Sequence, residues 1–154
     1  WLSMENKALL PKWFREFPGV EWIVISGQKL PVLDDKYRVT LDVKGKRLTG
    51  SAPELAAYEL LSAVPGTLSF NHAAELFQGL VNLNPRKVEY LLSVSQSVQT
   101  KRLYLFFASF YEHGWLRRID SQKIDLGAGK RQIVVNGKFN AQYQITVPER
   151  FQKE

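Results

Sequence analysis

Gln99-Thr100-Lys101-Arg102-Leu103-Tyr104-Leu105-Phe106-Phe107-Ala108-Ser109-Phe110 is the stretch that decides the fold. Leu103, Phe106, Phe107 and Phe110 stand at i, i+3, i+4 and i+7, the spacing of one apolar helix face. The run predicts a helix that starts near Gln99 and is ended by Gly114. The aromatics Tyr104, Phe106, Phe107, Phe110 and Tyr111 keep helical spacing, which favours a core over a base-stacking platform. Tyr104 and Tyr111 are expected to keep a wet edge, because a phenol needs a polar partner.

Three more helices lie upstream. Ser51-Ala52-Pro53-Glu54 reads as a capping box, in which Ser51 and Glu54 satisfy each other's backbone N–H groups. The helix it opens carries Leu55, Tyr58, Leu60 and Leu61 to about Val64, and Pro65-Gly66 stops it. Ser69 caps a second helix with Leu76, Phe77 and Leu80 on one face. Asn84-Pro85 is an N-cap followed by proline at the first helical position, with Val88, Leu91 and Leu92 inward behind it.

Residues 1–50 read as mostly β. A short helix spans Pro11 to Phe17, and Val20 to Ser26 is a β-branched alternating strand. Lys36 to Val43 is a second strand with Tyr37, Val39, Leu41 and Val43 on one face. Gly45 turns it into a return strand at Arg47-Leu48-Thr49. Downstream, Ile133-Val134-Val135 and Gln144-Ile145-Thr146-Val147 read as strands around an Asn136-Gly137 turn. The order is strands, four helices, strands: an α+β protein with a β-rich part over 1–50 and a helical part with C-terminal strands over 51–154.

A chain of 154 residues suits one domain with a real core, and its 45% apolar content excludes a disordered chain. The absence of cysteine excludes a disulfide framework and a Cys-based zinc site, and fits a reducing cytosol. No apolar run is long enough for a membrane span, so a cytoplasmic protein is expected. The net charge of +6 is unevenly placed. Residues 1–75 hold nine Lys/Arg and nine Asp/Glu, whereas residues 76–154 hold twelve and six. Such asymmetry suits an anionic partner, and equally a solvated basic face that aids solubility.

Leu126-Gly127-Ala128-Gly129-Lys130-Arg131 superficially resembles a phosphate-cradling loop. A nucleotide-hydrolysing P-loop needs Gly five residues before the Gly-Lys pair and Ser/Thr after the lysine, where this chain has Ile124 and Arg131. Nucleotide hydrolysis is therefore rejected. The reading that survives is backbone N–H groups and charge for a phosphate, against a tight turn with solvated charges. Lys101-Arg102, as an exposed pair at a helix start, would add to the dipole's attraction for phosphate, or serve helix solubility. Arg117-Arg118 suits successive phosphates, or ion pairs with Asp120 or Asp125. His72 and His113 lack metal-ligand spacing, and Ser62, Ser69 and Ser93 lack the context of a nucleophile. No enzyme, cofactor or metal is expected. Lys101, Arg102, Arg117, Arg118, Lys130, Arg131 and Lys138 form the candidate anion- or nucleic-acid-binding set.

From Ser51 onward the chain resembles the C-terminal domain of the AbiEi-family antitoxins of bacterial type IV toxin–antitoxin systems. The resemblance rests on Ala52 to Leu61 with Val64-Pro65 and Ser69-Phe70, on Gly79-Leu80 and Leu83-Asn84-Pro85, and on Val98 to Leu105. Its most specific parts are Ile124 to Arg131, Asn136-Gly137-Lys138 and Tyr143 to Pro148. Residues 1–50 match more loosely, through Leu10-Pro11-Lys12-Trp13 and the strands. The resemblance implies an antitoxin in phage defence (abortive infection) that counters a nucleotidyltransferase toxin without a stable complex and represses its own operon. It assigns DNA reading chiefly to an N-terminal winged helix-turn-helix. No such segment precedes Trp1, so the chain is expected to be a C-terminal domain. The alternative is a structural or dimerisation module attached to a DNA-binding domain.

Overall fold

The computed structural model describes the backbone of residues 2–4 and 24–26, and residues 33–152. The expected helix over Pro11 to Phe17 lies outside the described residues. β1 (Leu2–Met4) and β2 (Val24–Ser26) pair in parallel. β3 (Arg38–Val43) and β4 (Lys46–Ser51) form an antiparallel hairpin in which Leu41 faces Leu48. Lys44 and Gly45 both have positive φ (52° and 77°), as a two-residue hairpin turn requires, and Asp42 Oδ1 accepts from Gly45 N–H at 3.0 Å. Tyr37 leaves the expected strand. It sits in a 3-10 turn just before β3, fully buried, and donates through its hydroxyl to Lys87 O at 3.0 Å. Burial pushes its phenol up to about 12.

Four helices follow: α1 (Pro53–Ser62), α2 (Phe70–Gln78), α3 (Pro85–Val94) and α4 (Val98–Phe110). Ser69, Asn84 and Ser97 cap α2, α3 and α4 by accepting from backbone N–H groups of the first turns. The capping box at α1 is corrected. Ser51 ends β4 and donates to Glu59 Oε2 at 2.8 Å, and Ala52 takes the cap position without a side-chain bond. Glu54 turns inward, and its Oε1 accepts from Asn84 N–H at 2.9 Å. Its carboxylate thus joins the start of α1 to the cap of α3.

α4 is the axis of the fold. Every residue from Thr100 to Ala108 is buried. A helix hydrophobic on one stripe faces a core, whereas one hydrophobic all round is enclosed by it. Phe70, Phe77 and Phe151 pack around it, with Phe70–Phe107 centroids 4.9 Å apart and Phe77–Tyr104 at 5.1 Å edge to face. Tyr104 is wholly buried, not wet-edged, and its hydroxyl donates to Glu54 O at 3.3 Å. Tyr111 keeps partial exposure. Leu76, expected inward, is 47% exposed. α4 ends before Gly114. Glu112 takes positive φ (56°), and His113 N–H reaches back to Ala108 O at 3.0 Å, which satisfies a last-turn carbonyl.

A buried chain of hydroxyls ties α1 to the α3–α4 connection. The Tyr58 hydroxyl and Ser95 Oγ bond to each other, Ser95 Oγ accepts from Ser97 N–H, and Ser97 Oγ meets Thr100 Oγ1 at 2.8 Å. Downstream, β5 (Lys138–Asn140) and β6 (Ile145–Val147) pair antiparallel, with Phe139 opposite Thr146. The strand expected at Ile133-Val134-Val135 is replaced by β5. The Thr146 hydroxyl substitutes for a ladder there, accepting from Ile133 and Val134 N–H (2.9 and 3.0 Å) and donating to Val134 O. Asn136, with φ 58°, does turn the chain.

Candidate nucleic-acid interface

Arg102 is 2% exposed and spends its guanidinium inside the protein. Nε donates to Leu126 O (2.8 Å), Nη2 to Gly127 O (2.9 Å), and Nη1 to Gly129 O (2.6 Å) and Gln144 O (3.2 Å). Four backbone carbonyls thus surround one cation. Desolvation, and then the charge of Arg131, lower its pKa from the ordinary arginine value. Lys101 beside it is 4% exposed. The exposed Lys101-Arg102 pair expected at this helix start is therefore corrected: the helix is enclosed at both positions.

The loop from Asp125 to Arg131 is shaped by that guanidinium. Gly127 has φ 59°, and a Cβ there would lie 2.8 Å from Val98 Cγ2, so only glycine lets the loop lie on α4. Asp125 Oδ1 accepts from Gly127 N–H at 2.7 Å. The loop turns carbonyls inward to Arg102, and two of its N–H groups, those of Gly127 and Arg131, are already committed.

The charges at the loop's end do reach solvent. Lys130 and Arg131 are exposed. Lys130 Nζ lies 4.9 Å over the ring of Phe139, a cation–π contact that carries its charge onto β5. Arg131 is bridged to Ile145, with its N–H donating to Gln144 O at 2.9 Å. Lys138, also exposed, pairs with Glu149 at 3.5 Å. Arg150, outside the expected set, sits 4.9 Å over the Phe151 ring. Nothing in the local sequence around Pro148 distinguishes it.

Arg117 and Arg118 stand apart from this group. They end the 3-10 turn Gly114–Arg118, beyond the C-terminal end of α4, and are exposed. Arg102 anchors the 126–129 loop eight residues before that end, about 12 Å along the helix axis. Asp120 pairs with Lys123 at 3.7 Å and Asp125 bonds Gly127 N–H, so neither arginine has an ion pair with them. The predicted set divides into two buried cations, three at the loop and β5, and two at the turn after α4.

The histidines are separate. His72 is exposed beside Glu75 at 3.7 Å. His113 is buried, stacked on Trp115 with centroids 5.5 Å apart, and its Nε2 lies 3.2 Å from Phe77 O. Desolvation lowers its pKa. Among the described residues no group of three His, Cys, Asp or Glu could hold a metal ion, and no helix is long and apolar enough to cross a membrane.

A family model described as transcriptional regulator, AbiEi antitoxin, type IV TA system matches residues 1–148. No match is found among curated proteins or among solved structures.

Proposed function

The chain belongs to the AbiEi antitoxin family of type IV toxin–antitoxin transcriptional regulators, and from that premise we propose that it counters a partner nucleotidyltransferase toxin and supports repression of its own operon. The family's role is regulatory and non-catalytic. The observation that carries the proposal is the match over nearly the whole chain, joined to the excess of cations in residues 76–154. The operon is DNA, and a phosphate backbone is bound by exposed cations that release its counterions.

Lys130, Arg131 and Lys138 form one such surface, and Arg117 and Arg118 a second. Contacts of this kind position a protein without reading sequence, which fits a domain that assists a winged helix-turn-helix. Lys101 and Arg102 contribute to the fold instead. The toxin is countered without a stable complex, in a bacterial cytoplasm.

The test is rescue of growth. The 154-residue chain is expressed with the nucleotidyltransferase encoded beside it, alongside a variant with Arg117, Arg118, Lys130 and Arg131 changed to Glu. Rescue by the parent and its loss in a still-folded variant support the reading. No rescue by a soluble, folded parent overturns it.

A second reading, that of a dimerisation module, has one observation in its favour. Leu41 and Leu48 face each other across the hairpin and are 50% and 52% exposed. A Leu41→Lys, Leu48→Lys pair that turns a dimer into a monomer in sedimentation supports it. A parent that is monomeric at all concentrations removes it.

A further inference from the structure

We propose that the cleft between the C-terminal half of α4 and the β5–β6 turn is a nucleotide site, which takes a base against the exposed ring of Phe139 and the phosphate at its rim. The cleft has a volume of about 300 Å³, the lower end of the range for small-molecule sites.

Phe106, Phe110, Phe139 and Phe151 line it, Phe106 and Phe151 as a buried floor only 3% and 4% exposed, so Phe139 is the ring a base can reach. Phe110 and Phe151 are 5.0 Å apart, and Phe106 meets Tyr143 edge to face at 6.1 Å. Phe139 is 40% exposed, and Lys130 covers one face of its ring, so a base would stack on the other.

The polar part of the lining is neutral. It consists of Ser109 and the amides of Asn140, Gln142 and Gln152, with no carboxylate. Hydrogen bonds fix which way two of these amides point. Asn140 Oδ1 accepts from Tyr143 N–H at 3.0 Å, which turns its NH₂ away as a donor. Gln152 Nε2 donates to Phe139 O at 3.2 Å, which leaves its carbonyl oxygen as an acceptor. One donor and one acceptor beside the Phe139 ring suit a Watson–Crick edge, which always carries both.

No cation lines the cleft, and two lie over rings that do. Lys130 lies over the outer ring, Phe139, and Arg150 lies over Phe151, each 4.9 Å from the ring centroid. A neutral hydrogen-bonding interior with cations at its edge separates base from phosphate as a nucleotide does. The shared chemistry is met by a free nucleoside 5′-phosphate or by an unpaired nucleotide in a strand.

Calorimetric titration of the 154-residue chain with AMP, GMP, CMP, UMP, ribose 5-phosphate and a single-stranded oligothymidylate tests the site. Phe139→Ala and Asn140→Asp are titrated beside it, each checked by thermal melting. Asn140→Asp keeps the acceptor for Tyr143 N–H and removes the donor, so it leaves the turn intact. Saturable binding of at least one mononucleotide, weakened at least tenfold by both variants and absent for ribose 5-phosphate, supports the proposal with a free nucleotide as ligand. Binding of the oligonucleotide alone, with the same sensitivity, supports it with a strand as the source. No saturable binding by any probe, equal binding by ribose 5-phosphate, or binding insensitive to both folded variants overturns it.

Discussion

Arg102 Nη1 lies 2.6 Å from the carbonyl oxygen of Gly129, so a cation early in α4 holds a loop 27 residues further along the chain. Leu126, Gly127 and Gln144 turn their carbonyls to the same guanidinium. Its planar fork serves acceptors in several directions at once, which the compact ammonium of lysine cannot do. Arg102→Ala leaves these acceptors buried and is expected to cost about 3–5 kcal/mol, with Arg102→Lys recovering less than half. Urea unfolding of the two variants measures this. A parent-like midpoint for Arg102→Ala would show that the guanidinium does not organise the loop.

Gly127→Ala introduces a Cβ at 2.8 Å from Val98 Cγ2 in a backbone of positive φ. Steric overlap and the left-handed conformation together are expected to cost about 2–4 kcal/mol. Val98→Ala removes the clash and not the φ penalty, so the double variant should lose less than the sum of the two single ones. Strictly additive losses in a double-mutant cycle argue against the contact.

His113 is held neutral, because burial lowers its folded pKa below the unfolded value. The unfolded chain therefore binds the extra proton first, and stability rises with pH through this window. The His113 contribution is fully present above about 6.5 and is lost as the pH falls toward the depressed folded value. Glu59 acts in the opposite sense. Desolvation raises its pKa, so acidification relieves its penalty between its raised value and the ordinary carboxylate range. Urea midpoints taken at steps from pH 7.5 to 5.5 should fall for the parent and fall less for His113→Gln. A flat parent profile contradicts this account.

Tyr58→Phe breaks the hydroxyl chain at its first member and leaves Ser95 with one partner fewer. The expected loss is about 1–2 kcal/mol, since a buried hydroxyl is deprived of a bond while packing is kept. Thermal melting detects it as a lowered Tm. An unchanged Tm would mean that the Ser95–Ser97 connection stands without Tyr58.

Lys130 and Arg131 are exposed, and Arg102 is not. If the loop surface meets operator DNA, Lys130→Ala with Arg131→Ala lowers the salt dependence of binding by about 0.9 in log–log slope for each phosphate left unneutralised. Arg102→Lys, where it folds, leaves the slope unchanged. Binding to operator DNA measured across a salt series distinguishes these outcomes.

The parts of the fold set by neighbours in sequence were legible in it. Ser69 and Asn84 cap helices because their side chains reach N–H groups two or three residues on. Lys44-Gly45 turns the hairpin within its own four residues. The buried set Val88, Leu91 and Leu92 follows from helical spacing alone. Ser51 shows the limit of such signals. Its capping-box pattern is genuine, yet pairing with Arg38 draws it into β4, and its hydroxyl goes to Glu59.

The site was less legible. Lys101-Arg102 reads as a surface pair, although the unbroken apolar run from Leu103 to Phe107 already signals a helix enclosed on all sides. The division of the seven predicted cations into loop, turn and interior carries no sequence mark at all. The sequence by itself determined the four helices, the hairpin and the excess of positive charge, because capping, turn geometry and apolar spacing act over a few residues. Only the tertiary structure decided that Arg102 is a cation of the core and Lys130 one of the surface. The carbonyls that make burial of Arg102 favourable lie 24 to 42 residues away and meet it only when the chain has folded.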